Sequence, residues 1–496
     1  MRRSWFAVGC VVVTACGGQH AGARAASPGA TEAADTRQPA GPALVAVDPA
    51  PAEPGASAEP SARARPRAEP PWLGASTASA LSLTRSSDQR VAVWIDVPDA
   101  RPPEHVPTAT ALVIDTSGSM QGDKIAHARQ AARALARAMH DGDVVSVIAF
   151  DTTVREIVPP TLLDDRSRGE VERAIGGLRA AGDTNLHDGL RTAVWYASRA
   201  PATHPLRRVV LVSDGRATVG PSSPTALGLL AEDGMARGTQ VTALGVGLDY
   251  DELTLNEIAV RSSGRFYHLE HSTSFASVVT EELRVLERTI AADAYVELVP
   301  APGVHVEGVI GARAQRSGAG WRVPLGALYA GQSRELSVRV RLPERGPGVV
   351  QPVLSARLHF TDLTDGALPR VQEVAVRTVT TDDAAAVAAR RVPRAESVLA
   401  TQDAAEWAAT AAARAGSGDL EAAQRELERA EHRLREQASA TDDAVERERL
   451  ERRASTMGKA RKSAAAAAAA PAADRPRASR ASALDANASS MELQGY

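Results

Sequence analysis

Asp115-Thr116-Ser117-Gly118-Ser119-Met120 decides the reading of this chain. It follows the apolar run Ala111-Leu112-Val113-Ile114 and precedes a long helical pattern over 122–140. A short apolar run that gives way to a 3.6-residue period reads as a buried strand turning into a helix. One acid and two hydroxyls therefore sit on the turn at the carboxyl end of a strand, where open α/β sheets place their ligands. The spacing Asp-x-Ser-x-Ser gathers three oxygen donors on one tight loop. Hard oxygens with no Cys or His among them suit Mg²⁺ or Mn²⁺ rather than zinc. Taken singly, Asp115 and Ser117 would also serve as caps for the following helix.

Two later loops offer more oxygens. Gly182-Asp183-Thr184-Asn185 lies between two helical patterns, and Ser213-Asp214-Gly215 directly follows the apolar run Val209-Val210-Leu211-Val212. Strand patterns fall at 110–115, 143–150, 207–213 and 239–246, with an edge strand at 153–158. Helical patterns fill 122–140, 166–178, 186–199, 223–236, 251–260 and 273–291. Strands alternating with helices predict a doubly wound parallel sheet.

The order Asp-x-Ser-x-Ser, then a Thr loop, then a strand ending in Asp-Gly resembles the von Willebrand factor type A domain and its metal-ion-dependent adhesion site. The resemblance covers residues 109–291 and fills all five metal positions of that family: Asp115, Ser117, Ser119, Thr184 and Asp214. It implies that the hydroxyls of Ser117, Ser119 and Thr184 touch the metal, while Asp115 and Asp214 act directly or through water. Neutral hydroxyls hold a cation without cancelling its charge, so a positive field persists at one open position. An Asp or Glu carboxylate from a protein partner suits that position. Asp183 and Asp188 read as turn and cap residues, Asp143 and Asp151 as solvated flanks of a strand, and His187 as a neighbour rather than a ligand. His127, His140, His268 and His432 show no ligand spacing. The sequence contains no Gly-x-Ser-x-Gly elbow, no phosphate-binding Gly-Lys-Ser/Thr loop and no His-Glu-x-x-His motif, so it reads as a non-enzyme.

The chain has 496 residues, room for two or three domains, and a net charge of -3 that favours neither nucleic acid nor an anionic membrane. Arg2 and Arg3 followed by the short apolar stretch Trp5–Val13 read as an export signal over residues 1–15. Val13-Thr14-Ala15-Cys16-Gly17 resembles a bacterial lipoprotein lipobox with Cys16 as the lipidated residue. Gly17 after it favours the outer membrane if the cell is Gram-negative. The only other cysteine is Cys10, inside the signal, so the exported part has no disulfide.

Residues 16–70 are rich in Ala, Pro, Gly and Ser and nearly free of large hydrophobes, which reads as a disordered tether. Residues 71–108 hold an alternating run, Arg90 to Val97, expected to pair with an all-β region at 292–381 and make a sandwich-like accessory domain. From 382 to 463 the pattern is helical, with Leu420, Ala423, Leu427, Ala430 and Leu434 forming one stripe of a helical hairpin. The Ala run and polar residues of 464–496 read as a disordered tail. The fold class is thus α/β: a doubly wound parallel sheet, a β-sandwich-like domain and a C-terminal helical region. The function this favours is a lipid-anchored cell-envelope protein that binds a protein partner through Mg²⁺. Two alternatives are a scaffold in which metal only stabilises the fold, and a non-catalytic accessory subunit of a larger complex. A metal-dependent hydrolase has least support.

Overall fold

The structure is a computed structural model that describes residues 71–495 apart from 103–104, 215, 248–249 and 270–271. The signal segment 1–15, Cys16 and the tether of 16–70 lie outside the described residues.

Three strands come first: β1 (Leu73–Thr77), β2 (Leu81–Leu83) and β3 (Asp88–Asp96). The sheet domain follows, with β4 (Thr108–Asp115), β5 (Val144–Phe150), β6 (Val154–Leu162), β7 (Leu206–Ser213), β8 (Thr239–Val246) and β9 (Phe266–Leu269). Their order is β6-β5-β4-β7-β8-β9, and every pair is parallel except β5 with β6. From β4 the chain first moves outward to β5 and β6, then returns to the other side of β4 for β7. The strand order therefore reverses between β4 and β7, which opens a crevice beyond their carboxyl ends.

Six helices cover this sheet: α1 (Asp123–Ala138), α2 (Asp165–Gly176), α3 (Leu186–Ser198), α4 (Pro224–Met235), α5 (Glu252–Arg261) and α6 (Ser272–Glu287). Every residue of β4 is buried, because strand side chains alternate between two covered faces. Leu112 and Ile114 pack with Ile125, Ala128 and Leu135 of α1 and Val171 and Ile175 of α2. Ala111 and Val113 pack on the opposite face with Leu190 and Val194 of α3, Leu227 of α4 and Ile258 of α5. The four-residue edge strand β9 carries too little pattern to be read from sequence, and the expected strand list lacks it.

The rest of the β-structure comprises β10 (Thr289–Pro300), β11 (His305–Ile310), β12 (Gln315–Ser317), β13 (Gly320–Tyr329), β14 (Ser333–Arg341), β15 (Val350–Asp362) and β16 (Leu368–Thr381). One sheet has the order β1-β3-β14-β11 and the other β12-β13-β10-β15-β16-β2. Val93 of β3 sits opposite Leu336 of β14, and both join a core with Val296, Leu298, Val353 and Leu358. The sheet domain is inserted between β3 and β10 of this discontinuous sandwich.

The C-terminal region differs from the expected hairpin and disordered tail. After the short α7 (Ala384–Ala389) come four long helices: α8 (Pro393–Gly416), α9 (Leu420–Ala440), α10 (Ala444–Ala469) and α11 (Arg475–Gln494). Ala464 and Ala467 complete α10, and Ala483 and Ala486 of α11 are buried beside them in a core with Leu427, Leu434 and Met457. Alanine is the strongest helix former, and its small side chain permits close helix packing. A run that looks like low complexity is here helix and core.

The bundle docks on the outer face of β3 and β14. Ala92 packs against Ala395 and Val398 of α8. Beside them Glu335 of β14 is fully enclosed, with Arg394 at 2.6 Å and Arg453 at 2.9 Å. Burial alone would raise the Glu335 carboxyl, but Arg453 and Arg394 hold it below the usual range.

Candidate metal centre

The five sequence-selected residues lie on three loops at the carboxyl ends of β4 and β7 and before α3. Asp115 ends β4 and has no exposed surface. Its Oδ1 accepts the Ser117 backbone N–H at 2.8 Å, and its Oδ2 accepts the Ser213 hydroxyl at 2.5 Å. The first bond folds the loop back on its own acid, an Asx-type turn. It leaves the Ser117 and Ser119 hydroxyls 3.0 Å apart.

The Thr184 loop is tied to this one through the backbone. Gly118 donates to the Gly182 carbonyl at 2.8 Å, and Ala181 donates to the Thr116 carbonyl at 2.7 Å. Gly182 has φ +77°, and a Cβ there would stand 2.7 Å from the Thr152 hydroxyl, so glycine is required on both counts. Thr184 is buried. Its N–H donates to the Thr218 hydroxyl at 2.9 Å, and its carbonyl accepts from Thr218 and Val219. Asn185 caps α3 by accepting from Asp188, which lies in the first turn beside His187. Asp183 donates its N–H to the Thr152 hydroxyl.

Asp214 follows β7. Its carbonyl accepts from Asp251 at 2.8 Å, and its Oδ2 receives Lys124 Nζ at 3.3 Å. Its Oδ1 is buried with no hydrogen-bond partner among the described residues. A buried carboxylate oxygen without a donor is costly and calls for a cation or water to satisfy it. Asp115 points the same way. Burial chiefly, with Asp214 adding repulsion, pushes its carboxyl up to about 6 despite the bonds from Ser117 and Ser213. Two carboxylates and three hydroxyls, with no nitrogen or sulfur ligand, make a donor set that fits a hard divalent ion.

Sequence reasoning missed several supporting residues. Lys124, in the first turn of α1, reaches across to the β7 loop. Its signal was composition: it is one of only three lysines in an arginine-rich chain. Ser213 fixes Asp115. Asp151, read as solvated, instead accepts from Arg155 at 2.8 Å and from the Thr116 hydroxyl at 3.4 Å, bracing the loop that follows β4. Asp143, also read as solvated, is buried; its carboxylate accepts the N–H groups of Thr108 and His140. Backbone donors exposed at the start of a strand drew it inward.

The fold is like that of a von Willebrand factor type A domain, and residues 110–216 match the family model of that description. The chain is 25% identical over 221 residues to the uncharacterized protein YfbK of Escherichia coli (strain K12), which covers 43% of this chain and 38% of that protein. It is 23% identical over 265 residues to human inter-alpha-trypsin inhibitor heavy chain H4, covering 52% of this chain and 27% of that one. The chain thus spans well under two thirds of the length of these relatives. Among solved structures, the von Willebrand factor type A protein from Catenulispora acidiphila superposes with a TM-score of 0.65 at 18% identity. That likeness covers 85% of this chain and 96% of the other, so the shared fold extends beyond the sheet domain.

Proposed function

We propose that this chain is an exported, lipid-anchored cell-envelope protein whose A-type domain captures a protein partner through Mg²⁺ or Mn²⁺. A-type domains often mediate protein–protein interaction. The observation that carries the metal reading is the buried Asp214 Oδ1, without a partner among the described residues, at the end of a strand beside the strand-order reversal. Ser117, Ser119 and Thr184 would hold the ion, with Asp115 and Asp214 acting directly or through water. A bound divalent ion supplies a net positive charge with one position open to an Asp or Glu carboxylate of the partner.

The chain's own residues prepare this. Ser213 and the Ser117 N–H lock the Asp115 carboxylate in one orientation, so it loses little freedom on binding. Lys124 partly neutralises Asp214 from the side, which keeps the paired acids from cancelling the charge of a bound cation. Lipidation of Cys16 would tether the domain to a membrane, with the outer membrane favoured if the cell is Gram-negative.

The test is capture of envelope proteins by the immobilised chain in Mg²⁺, with elution by chelator. The proposal expects elution by EDTA and no capture by Asp115→Ala. Capture that persists through chelation, with only a lowered melting temperature, would support the scaffold alternative instead.

A further inference from the structure

A second group of ligand-type side chains lies at the opposite end of the same sheet, among the amino ends of β4 and β5. Asp143 precedes β5 and leaves 2% of its side chain exposed. Its Oδ1 accepts the Thr108 N–H at 2.8 Å and stands 2.9 Å from Nε2 of His105. Its Oδ2 accepts the His140 N–H at 2.9 Å. The His105 and His140 rings stack with centroids 4.0 Å apart. One ligand atom from each of the three residues lies within 4.8 Å of the others. The neighbouring His204 is occupied by the Gly142 carbonyl and the Thr203 hydroxyl. Asp141 is paired with Arg168 at 2.6 Å.

We propose that His105, His140 and Asp143 form a site for a transition-metal ion, Zn²⁺ foremost, distinct from the hard-ion centre on the other end of the sheet. Two imidazoles and one carboxylate with solvent at the remaining position are the ligands of borderline-soft divalent ions, whereas Mg²⁺ prefers oxygen alone. The 2.9 Å contact between His105 and Asp143 is near the spacing two ligands need. Ligands about 2.0–2.1 Å from tetrahedral zinc lie roughly 3.4 Å apart. Exchanging the shared hydrogen for the metal therefore moves these atoms by only a few tenths of an ångström. His140 must turn its ring to close the third bond, and its exposed side chain can do so without disturbing the core.

The carboxylate is already oriented by two backbone N–H groups, the outer-shell support that well-formed metal sites show. His105 belongs to the segment that leads from β3 of the sandwich into β4, and His140 to the turn from α1 into β5. A bound ion would pin that inter-domain segment to the A-type domain.

Calorimetric Zn²⁺ titration of the full chain in excess Mg²⁺ tests this, with Co²⁺ absorption as a second readout. The expected result is one equivalent of Zn²⁺ bound by the parent and by Asp115→Ala. Affinity should weaken at least about tenfold in both His105→Gln and His140→Gln, and the tetrahedral Co²⁺ bands should vanish with it. Asp143→Asn removes an anchor of β4 as well as a ligand, so the two exposed histidines carry the test. Absence of Zn²⁺ binding in the parent would overturn the proposal. So would Zn²⁺ affinity unchanged in both histidine variants, or lost in Asp115→Ala alone.

Discussion

Replacing Asp115 by Asn should stabilise the metal-free protein while abolishing its metal binding. The Asp115 carboxyl is driven from 3.8 to about 6 in the folded chain, first by burial. A shift of about two units corresponds to roughly 3 kcal/mol, since each unit is about 1.36 kcal/mol. No solvent screening reduces this, because the side chain has no exposure. The sign follows from proton linkage. Between about pH 4 and 6 the folded chain binds a proton at Asp115 that the unfolded chain has already released. The stability tied to that proton is complete below about pH 4 and is lost as pH rises through about 6. Asparagine carries no charge, and its amide keeps the shape, accepting from Ser117 and donating to the Ser213 oxygen.

Urea unfolding in EDTA at pH 5 and pH 7.5 would measure the effect. Glu252, raised to about 7 by burial, also titrates in this range, so the informative quantity is the parent-minus-variant difference at each pH. At pH 7.5 Asp115→Asn should exceed the parent by up to about 3 kcal/mol, and at pH 5 by roughly half of that. In saturating Mg²⁺ the order should reverse, because only the parent gains ligand-linked stability. A variant less stable than the parent in EDTA at pH 7.5 would refute the reasoning.

Glu335→Ala should destabilise the chain by about 3–5 kcal/mol, because it leaves Arg453 without its carboxylate between sandwich and bundle and takes from Arg394 the most buried of its three acids, Asp96 and Glu446 remaining; a loss below about 1 kcal/mol in urea unfolding would contradict that. Cys16→Ser should move the protein from the membrane to the soluble fraction of the envelope, and retention in the membrane fraction would count against lipidation.

The parts of the fold legible in sequence are those set by local spacing. Asp-x-Ser-x-Ser after a buried strand, and Asp214 after another, mark loops whose positions follow from the alternation of strands and helices. What stayed hidden depends on contacts between distant segments. Lys124 stands on α1, and only the packing of α1 beside the β7 loop brings it to Asp214. Glu335 sits on the outward face of an alternating strand and would be solvated in a bare sandwich; α8 and α10 cover it. Asp143 was read as solvated because a flanking acid usually is, and His140 was passed over because its partner His105 lies 35 positions away. The alanine-rich tail misled for a compositional reason: small residues signal both low complexity and tight helix packing, and only the facing helices distinguish the two.

The central claim is that the three loops hold a divalent ion. Calorimetric titration of the full chain with Mg²⁺ and Mn²⁺, beside Asp115→Ala, tests it most directly. One equivalent bound by the parent and none by the variant is the predicted result. No binding by the parent, or equal binding by both proteins, would contradict it.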